Sequence, residues 1–168
     1  MAGRQHLMKD KRLSHIDTSG NPHTVDVSLK ASTPRTARAQ ATIKVSKEIL
    51  EQIKDQELVT KKGSVFQTAI LAGVMGAKKT ADLIPLCHPL SMENCQVEIQ
   101  VKNNKIVIDT LATITGKTGV EMEALTSASV AALTIYDMCK ALSHDIVIEE
   151  IKLMEKTGGK KDFKRKTL

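Results

Sequence analysis

One stretch limits what this chain can fold into: Gly116 to Leu142, GKTGVEMEALTSASVAALTIYDMCKAL. A lysine-bearing loop bracketed by glycines runs into the longest helix-like segment of the sequence. That segment is mostly small and apolar, so other elements can pack close against it. It nevertheless carries Glu121, Glu123, Asp137 and Lys140. Charges this sparse mark either the solvent face of a helix or a reactive site.

The remaining chain supplies strands. Residues 36–45 alternate Ala37, Ala39, Ala41, Ile43 and Val45 with polar residues, a period of two that predicts a half-buried strand. Residues 93–115 predict a hairpin: Val97, Ile99 and Val101 alternate, Asn103-Asn104 supply the turn, and Ile106, Ile108 and Leu111 follow. Residues 145–155 predict a strand with a break at Glu149-Glu150. Upstream, HTVDVSLK (23–30) reads as a short β-prone run ended by Thr33-Pro34-Arg35. Ser46 is the expected N-cap of a short helix over SKEILEQIKD. The loop TKKGS (60–64) leads to Ser64, the expected cap of a second helix to about Lys79. In that helix Gly73 and Gly76 each cost about 1 kcal/mol relative to Ala, which implies a packing reason for them.

From residue 36 the order is strand, helix in two pieces, strand, strand, helix, strand. It predicts an α+β fold of the ferredoxin-like βαββαβ kind: an antiparallel four-stranded sheet with helices on one face. A single domain is expected over 23–155. It lies between a mobile N-terminal arm (1–22) and a basic C-terminal segment (156–168) read as a tail with one glycine turn.

Charge and composition exclude several functions. The net charge is +6, but residues 1–12 hold +3 and residues 156–168 hold +5, leaving −2 for the body. The body therefore has no global basic field for nucleic acid. Aromatics are only 2% (Phe66, Tyr136 and Phe163), and none falls in the predicted strands of the domain. An RNA-binding plait stacks bases on such aromatics, so specific nucleic-acid binding is not expected. No run approaches the roughly 18 apolar residues of a membrane span, and the first residues show no apolar signal segment. Cys87, Cys95 and Cys139 are odd in number and have no CxxC spacing. No disulfide framework or protein-bound metal is expected, and a reducing cytoplasm is the expected compartment.

Several residues invite a chemical reading, each beside a plainer one. GKTG (116–119) is not a P-loop, because the glycine required five residues before Gly116 is Leu111. It is a flexible turn whose following helix start favours anions. Cys87 and His88 lie between Pro85 and Pro89 in a stiff, otherwise apolar segment. On spacing alone His88 reads as a satisfied buried residue or as a catalyst. Asp137 and Lys140, three apart, share a helix face. They read as a surface ion pair or, if buried, as an acid/base couple. Lys62 and Lys156 adjoin glycine turns, which suits phosphate but also fits solvated lysines. Glu123 and Asp137 are about 21 Å apart along a continuous helix, so they cannot share one reacting atom. Either the ligand is long, or the two ends serve different copies of a site.

The joint presence of LIPLCHPL, TGKTGVEMEALTSASVAALTIYDMCKA and KTGGK, with KKGSVFQTAILAGVMGAKKT between and HTVDVSLKASTPRTARA upstream, resembles the cyclic pyranopterin monophosphate synthase family of molybdenum cofactor biosynthesis. The resemblance covers about residues 15–163. It implies a ferredoxin-like enzyme, a phosphorus–oxygen lyase, assembled as a homohexamer of dimers with interfacial sites. It also implies a reaction: cyclic dihydro-GTP to cyclic pyranopterin monophosphate, with release of diphosphate. Asp137, Lys140, Lys62 and His88 match catalytic positions. Leu86, Cys87, His88, Met122, Glu123 and Glu121 match substrate-binding positions, and Arg35 and Lys156 match basic residues on the triphosphate side. No cofactor is implied; Mg²⁺ accompanying the triphosphate is compatible but not demanded. The family commonly reads KSGGKSG where this chain has KTGGKKD, which keeps Lys156 and Lys160 but not the last serine and glycine.

Overall fold

The computed structural model describes residues 16–17 and 19–166. Within them, in chain order, lie β1 (Thr33–Lys44), α1 (Lys47–Glu51), β2 (Val59–Thr60), β3 (Gly63–Ser64), α2 (Val65–Lys78), α3 (Thr80–Leu83), β4 (Asn94–Lys102), β5 (Lys105–Gly116), α4 (Glu121–Cys139), β6 (Val147–Thr157) and β7 (Phe163–Lys164). The fold is α+β. Its main sheet runs β4-β5-β1-β6-β7 and every neighbouring pair is antiparallel.

The sheet has five strands where four were expected. The segment read as a tail instead closes the sheet edge. Lys156 and Thr157 complete β6, the chain turns at Gly158 with φ +80°, and Phe163 and Lys164 pair back onto Lys156 and Glu155. Asp162 fastens the turn by accepting from the Gly158 N–H at 3.1 Å. Only glycine suits position 158: its φ is left-handed, and a Cβ would lie 1.9 Å from the Pro34 carbonyl oxygen. Two residues of β7 are too few to show any alternation in the sequence.

Both long helices cover one face. Val97, Thr110 and Ala39 form one cross-strand row. Thr110 donates to the Ala124 carbonyl of α4 at 2.9 Å, while a Cβ on Gly73 of α2 would sit 3.1 Å from Val97. Below them Ala37, Ala39, Ala41, Ile43, Ile106, Ile108, Ala112 and Ile114 are buried, as the period of two predicts. The helices themselves meet through small residues. A Cβ at Gly73 would lie 3.1 Å from the Ser127 oxygen, and one at Gly76 would lie 2.8 Å from Val130. The two glycines thus give up helix propensity for close approach of α2 to α4.

Turn chemistry explains the remaining boundaries. Asn103 and Asn104 both adopt positive φ, 51° and 58°, as a two-residue hairpin turn requires. The break foreseen in the last long strand is a bulge. Glu150 opposes Thr42 and Ile148 opposes Ile43, leaving Glu149 without a partner. The first short helix begins at its Ser46 cap but stops at Glu51, because Asp55 and Gln56 enter the left-handed region to close a Lys54–Glu57 turn. Ser64 makes no side-chain cap on α2. Glu57 replaces it, its carboxylate accepting from the N–H groups of Phe66 (2.7 Å) and Gln67 (3.1 Å). Pro34, read as a breaker, lies inside β1. Pairing with β6 begins only at Thr36, so the proline sits where that side of β1 is free.

The run 23–30 is not a strand. It is an exposed segment with no ladder partner, half-burying Val25 and Val27. Of the arm expected over 1–22, residues 1–15 and 18 lie outside the described residues. Ile16 and Pro22 close a turn inside which Asp17 accepts from Ser19 and Asn21.

Candidate active site

The functional candidates collect at the two ends of α4. At its N-terminus lies a cleft of about 760 Å³, within the range of a small-molecule site. The loop after α3 brings Leu86, Cys87 and His88 to it. The first turn of α4 brings Glu121, Met122 and Glu123, and β1 and β6 bring Arg35 and Lys156. All eight substrate-side candidates therefore line one cleft. Lys30, Lys117 and Lys160 join them, though none of these was among the candidates. GKTG carried a hint for Lys117; nothing local marks Lys30.

The charge of this cleft is opposite in sign to that of the body. Arg35 donates to the Gly116 carbonyl (3.1 Å) and the Lys117 carbonyl (3.4 Å), so the guanidinium shapes the glycine loop. Lys156 is held by Glu121 at 2.7 Å. No side chain caps α4, leaving its N-terminal dipole available to an anion. In the same loop, Thr118 Oγ1 is the one buried side-chain polar atom among the described residues with no partner. An unmade bond of this kind costs about 1–3 kcal/mol. The apolar lining comes from Val25, Leu86, Leu90, Val120 and Met122. The lining thus combines cations that suit phosphates with apolar side chains that suit a flat apolar body.

Glu123 is only 4% exposed. Burial, and then the neighbouring Glu121, raise its pKa, so it holds a proton more readily than a surface carboxylate. Burial and then Glu123 raise the Cys87 thiol, and burial lifts Cys139 to about 11. These thiols are kept from the reactive thiolate form.

The other end of α4 holds Asp137, Lys140 and Lys62. Lys140 reaches Asp137 Oδ1 at 2.7 Å, and Lys62 reaches Oδ2 at 2.8 Å and the Asp137 carbonyl at 3.0 Å. Their side chains are 52–56% exposed for Lys140 and Asp137 and 49% for Lys62. The pair expected to be either surface or buried is therefore a surface triad, completed by a lysine from the β2–β3 turn. None of the three lines the cleft.

Hydrogen bonds from Lys140 and then Lys62 lower Asp137 to about 2, and the same bond to Asp137 raises Lys140. A depressed carboxylate contributes stability that is present above its unfolded value of 3.8 and lost as pH falls toward 2. A carboxyl ¹³C titration of the folded protein is expected to place the Asp137 midpoint near 2. A midpoint near 4 would mean that the triad does not persist in solution.

A protein-family model, the MoaC family, matches residues 24–159, most of the chain. The chain belongs to the MoaC family. That family is cyclic pyranopterin monophosphate synthase and acts in molybdenum cofactor biosynthesis. The matched span begins at the exposed segment beside the cleft and ends in the glycine turn after β6, so it includes both ends of α4. No helix among the described residues is long and apolar enough to cross a membrane.

Proposed function

We propose that this MoaC-family chain is a phosphorus–oxygen lyase that converts cyclic dihydro-GTP to cyclic pyranopterin monophosphate and releases diphosphate. The observation that carries the proposal is the convergence of Arg35, Leu86–His88, Met122–Glu123 and Lys156 on one cleft lined by both basic and apolar side chains. The basic side chains take the triphosphate, since charge-assisted bonds from several cations suit a polyanion. The apolar side chains take the purine-derived ring. His88 and the Asp137–Lys140–Lys62 triad supply proton transfers as the purine is remodelled and the fused pyran ring and cyclic phosphate form. Any Mg²⁺ belongs to the triphosphate as part of the substrate.

The working unit in this reading is a homohexamer of dimers, built on the ferredoxin-like plait and acting in the cytoplasm. The two ends of α4 serve different sites: the cleft of one copy is completed by the triad of another. Purified chain supplied with cyclic dihydro-GTP is expected to release one diphosphate per pterin formed, both measurable in the same sample. Absence of diphosphate with intact substrate would overturn the assignment.

A further inference from the structure

The segment 23–30 lines the cleft through Val25, Val27 and Lys30 without joining any strand. Its own fold is small: Asp26 accepts from the Ser28 N–H (2.8 Å) and hydroxyl (2.6 Å), and the Lys30 N–H reaches the Val27 carbonyl at 3.0 Å. Two side chains of the cleft wall hold it. Lys117 donates to the Ser28 carbonyl at 2.8 Å, and His88 Nε2 lies 2.9 Å from the Val25 carbonyl. Val25 and Val27 are half-buried, Leu29 is fully exposed and the surrounding polar residues face solvent, so little beyond these contacts fastens the segment.

A carbonyl oxygen can only accept. The Nε2 atom must therefore carry the proton, whatever the charge of the ring. In the neutral ring this leaves the lone pair on Nδ1. We infer that residues 23–30 act as a positioning strap whose Val25 carbonyl fixes the His88 tautomer, making Nδ1 the nitrogen that exchanges a proton with the ligand. The catalytic half of this inference rests on the synthase reading; the tautomer half does not. An oriented imidazole needs no rearrangement when the ligand arrives, which is why an orienting acceptor on the far nitrogen recurs at functional histidines.

The test uses full-length protein carrying ¹³C,¹⁵N-labelled histidine, observed above the ordinary imidazole range of about 6.5. Wild type is expected to show a pyrrole-like Nε2 and a pyridine-like Nδ1 for His88. A Val25→Gly/Val27→Gly variant removes the strap's apolar anchors, and Asp26→Ala independently loosens its turn. Either is expected to move both His88 nitrogens toward the tautomer-averaged shift of a free imidazole. kcat for diphosphate release is expected to fall about 10- to 100-fold, the range for a metal-bound histidine that loses its outer partner, and in Asp26→Ala, which leaves the cleft lining intact, KM is expected to change far less. A wild-type His88 that is already averaged, or protonated on Nδ1, overturns the inference. So does a strap variant whose His88 spectrum is unchanged, or one that loses the tautomer yet keeps kcat. A chain that shows the expected spectrum but releases no diphosphate overturns the synthase reading and leaves the strap contact standing.

Discussion

Asp137→Ala is expected to lower diphosphate release by about 10²- to 10⁴-fold, the range for loss of a positioned proton-transfer group, with no loss of fold. The stability half follows from position. Asp137 lies in the last turn of α4 with its side chain 56% exposed. A carboxylate there faces the negative end of the helix dipole, which is unfavourable. Exposed substitutions away from special features usually stay within about 0.5 kcal/mol. The pairs with Lys140 and Lys62 offset that position only at an exposed surface, where ion pairs contribute little, so their larger consequence is to organise two ammonium groups. Without the carboxylate those lysines repel one another and lose their common anchor. Asp137→Asn keeps the shape without the charge and is expected to resemble the alanine variant in rate. Thermal unfolding and single-turnover diphosphate release on the same samples check both halves. An alanine variant with more than a tenth of the wild-type rate would remove Asp137 from the chemistry.

Mixing two dead variants is expected to restore activity. His88→Ala disables the cleft and Asp137→Ala disables the triad, so each homogeneous protein is expected to be nearly inactive. If the cleft of one copy is completed by the triad of another, a mixed pair carries one doubly damaged site and one intact site. Random pairing of equal amounts then gives about one quarter of the wild-type rate, and the purified mixed pair about one half. If instead one copy supplied both ends of its own site, no mixture would contain an intact site. The expectation of recovery rests on the roughly 21 Å between Glu123 and Asp137 along α4 and on the absence of Asp137, Lys140 and Lys62 from the cleft lining. Co-expressing differently tagged chains, purifying the mixed species and timing diphosphate release decides it; a mixture as inactive as its parents refutes a shared site.

Much of the chain declares its local structure. The alternation in Ala37–Ile43 became the buried face of β1, and Asn103-Asn104 became the hairpin turn its residues favour. The small residues at Gly73 and Gly76 had the packing reason their poor helix propensity implied. The failures share a different cause. Val25 and Val27 do alternate, but they anchor a strap at a cleft wall instead of a ladder. Pro34 is tolerated in β1 because a neighbouring strand begins two residues later, which nothing near Pro34 reveals. Glu57 caps a helix that starts eight residues after it, across a tight hairpin.

The candidate residues divide in the same way. Periodicity alone puts Asp137 and Lys140 on one face of a helix, because three residues make most of a turn. It also sets Glu123 far from Asp137. What it leaves open is what meets each end. Lys62 reaches Asp137 from 75 residues away, because the β2–β3 turn folds against the C-terminus of α4. Arg35, His88 and Lys156 meet at the N-terminus through strand order and loop paths. Spacing within an element is set by backbone geometry shared by all chains. Proximity between elements is set by which apolar faces must be buried together, and that is decided only when the whole core closes.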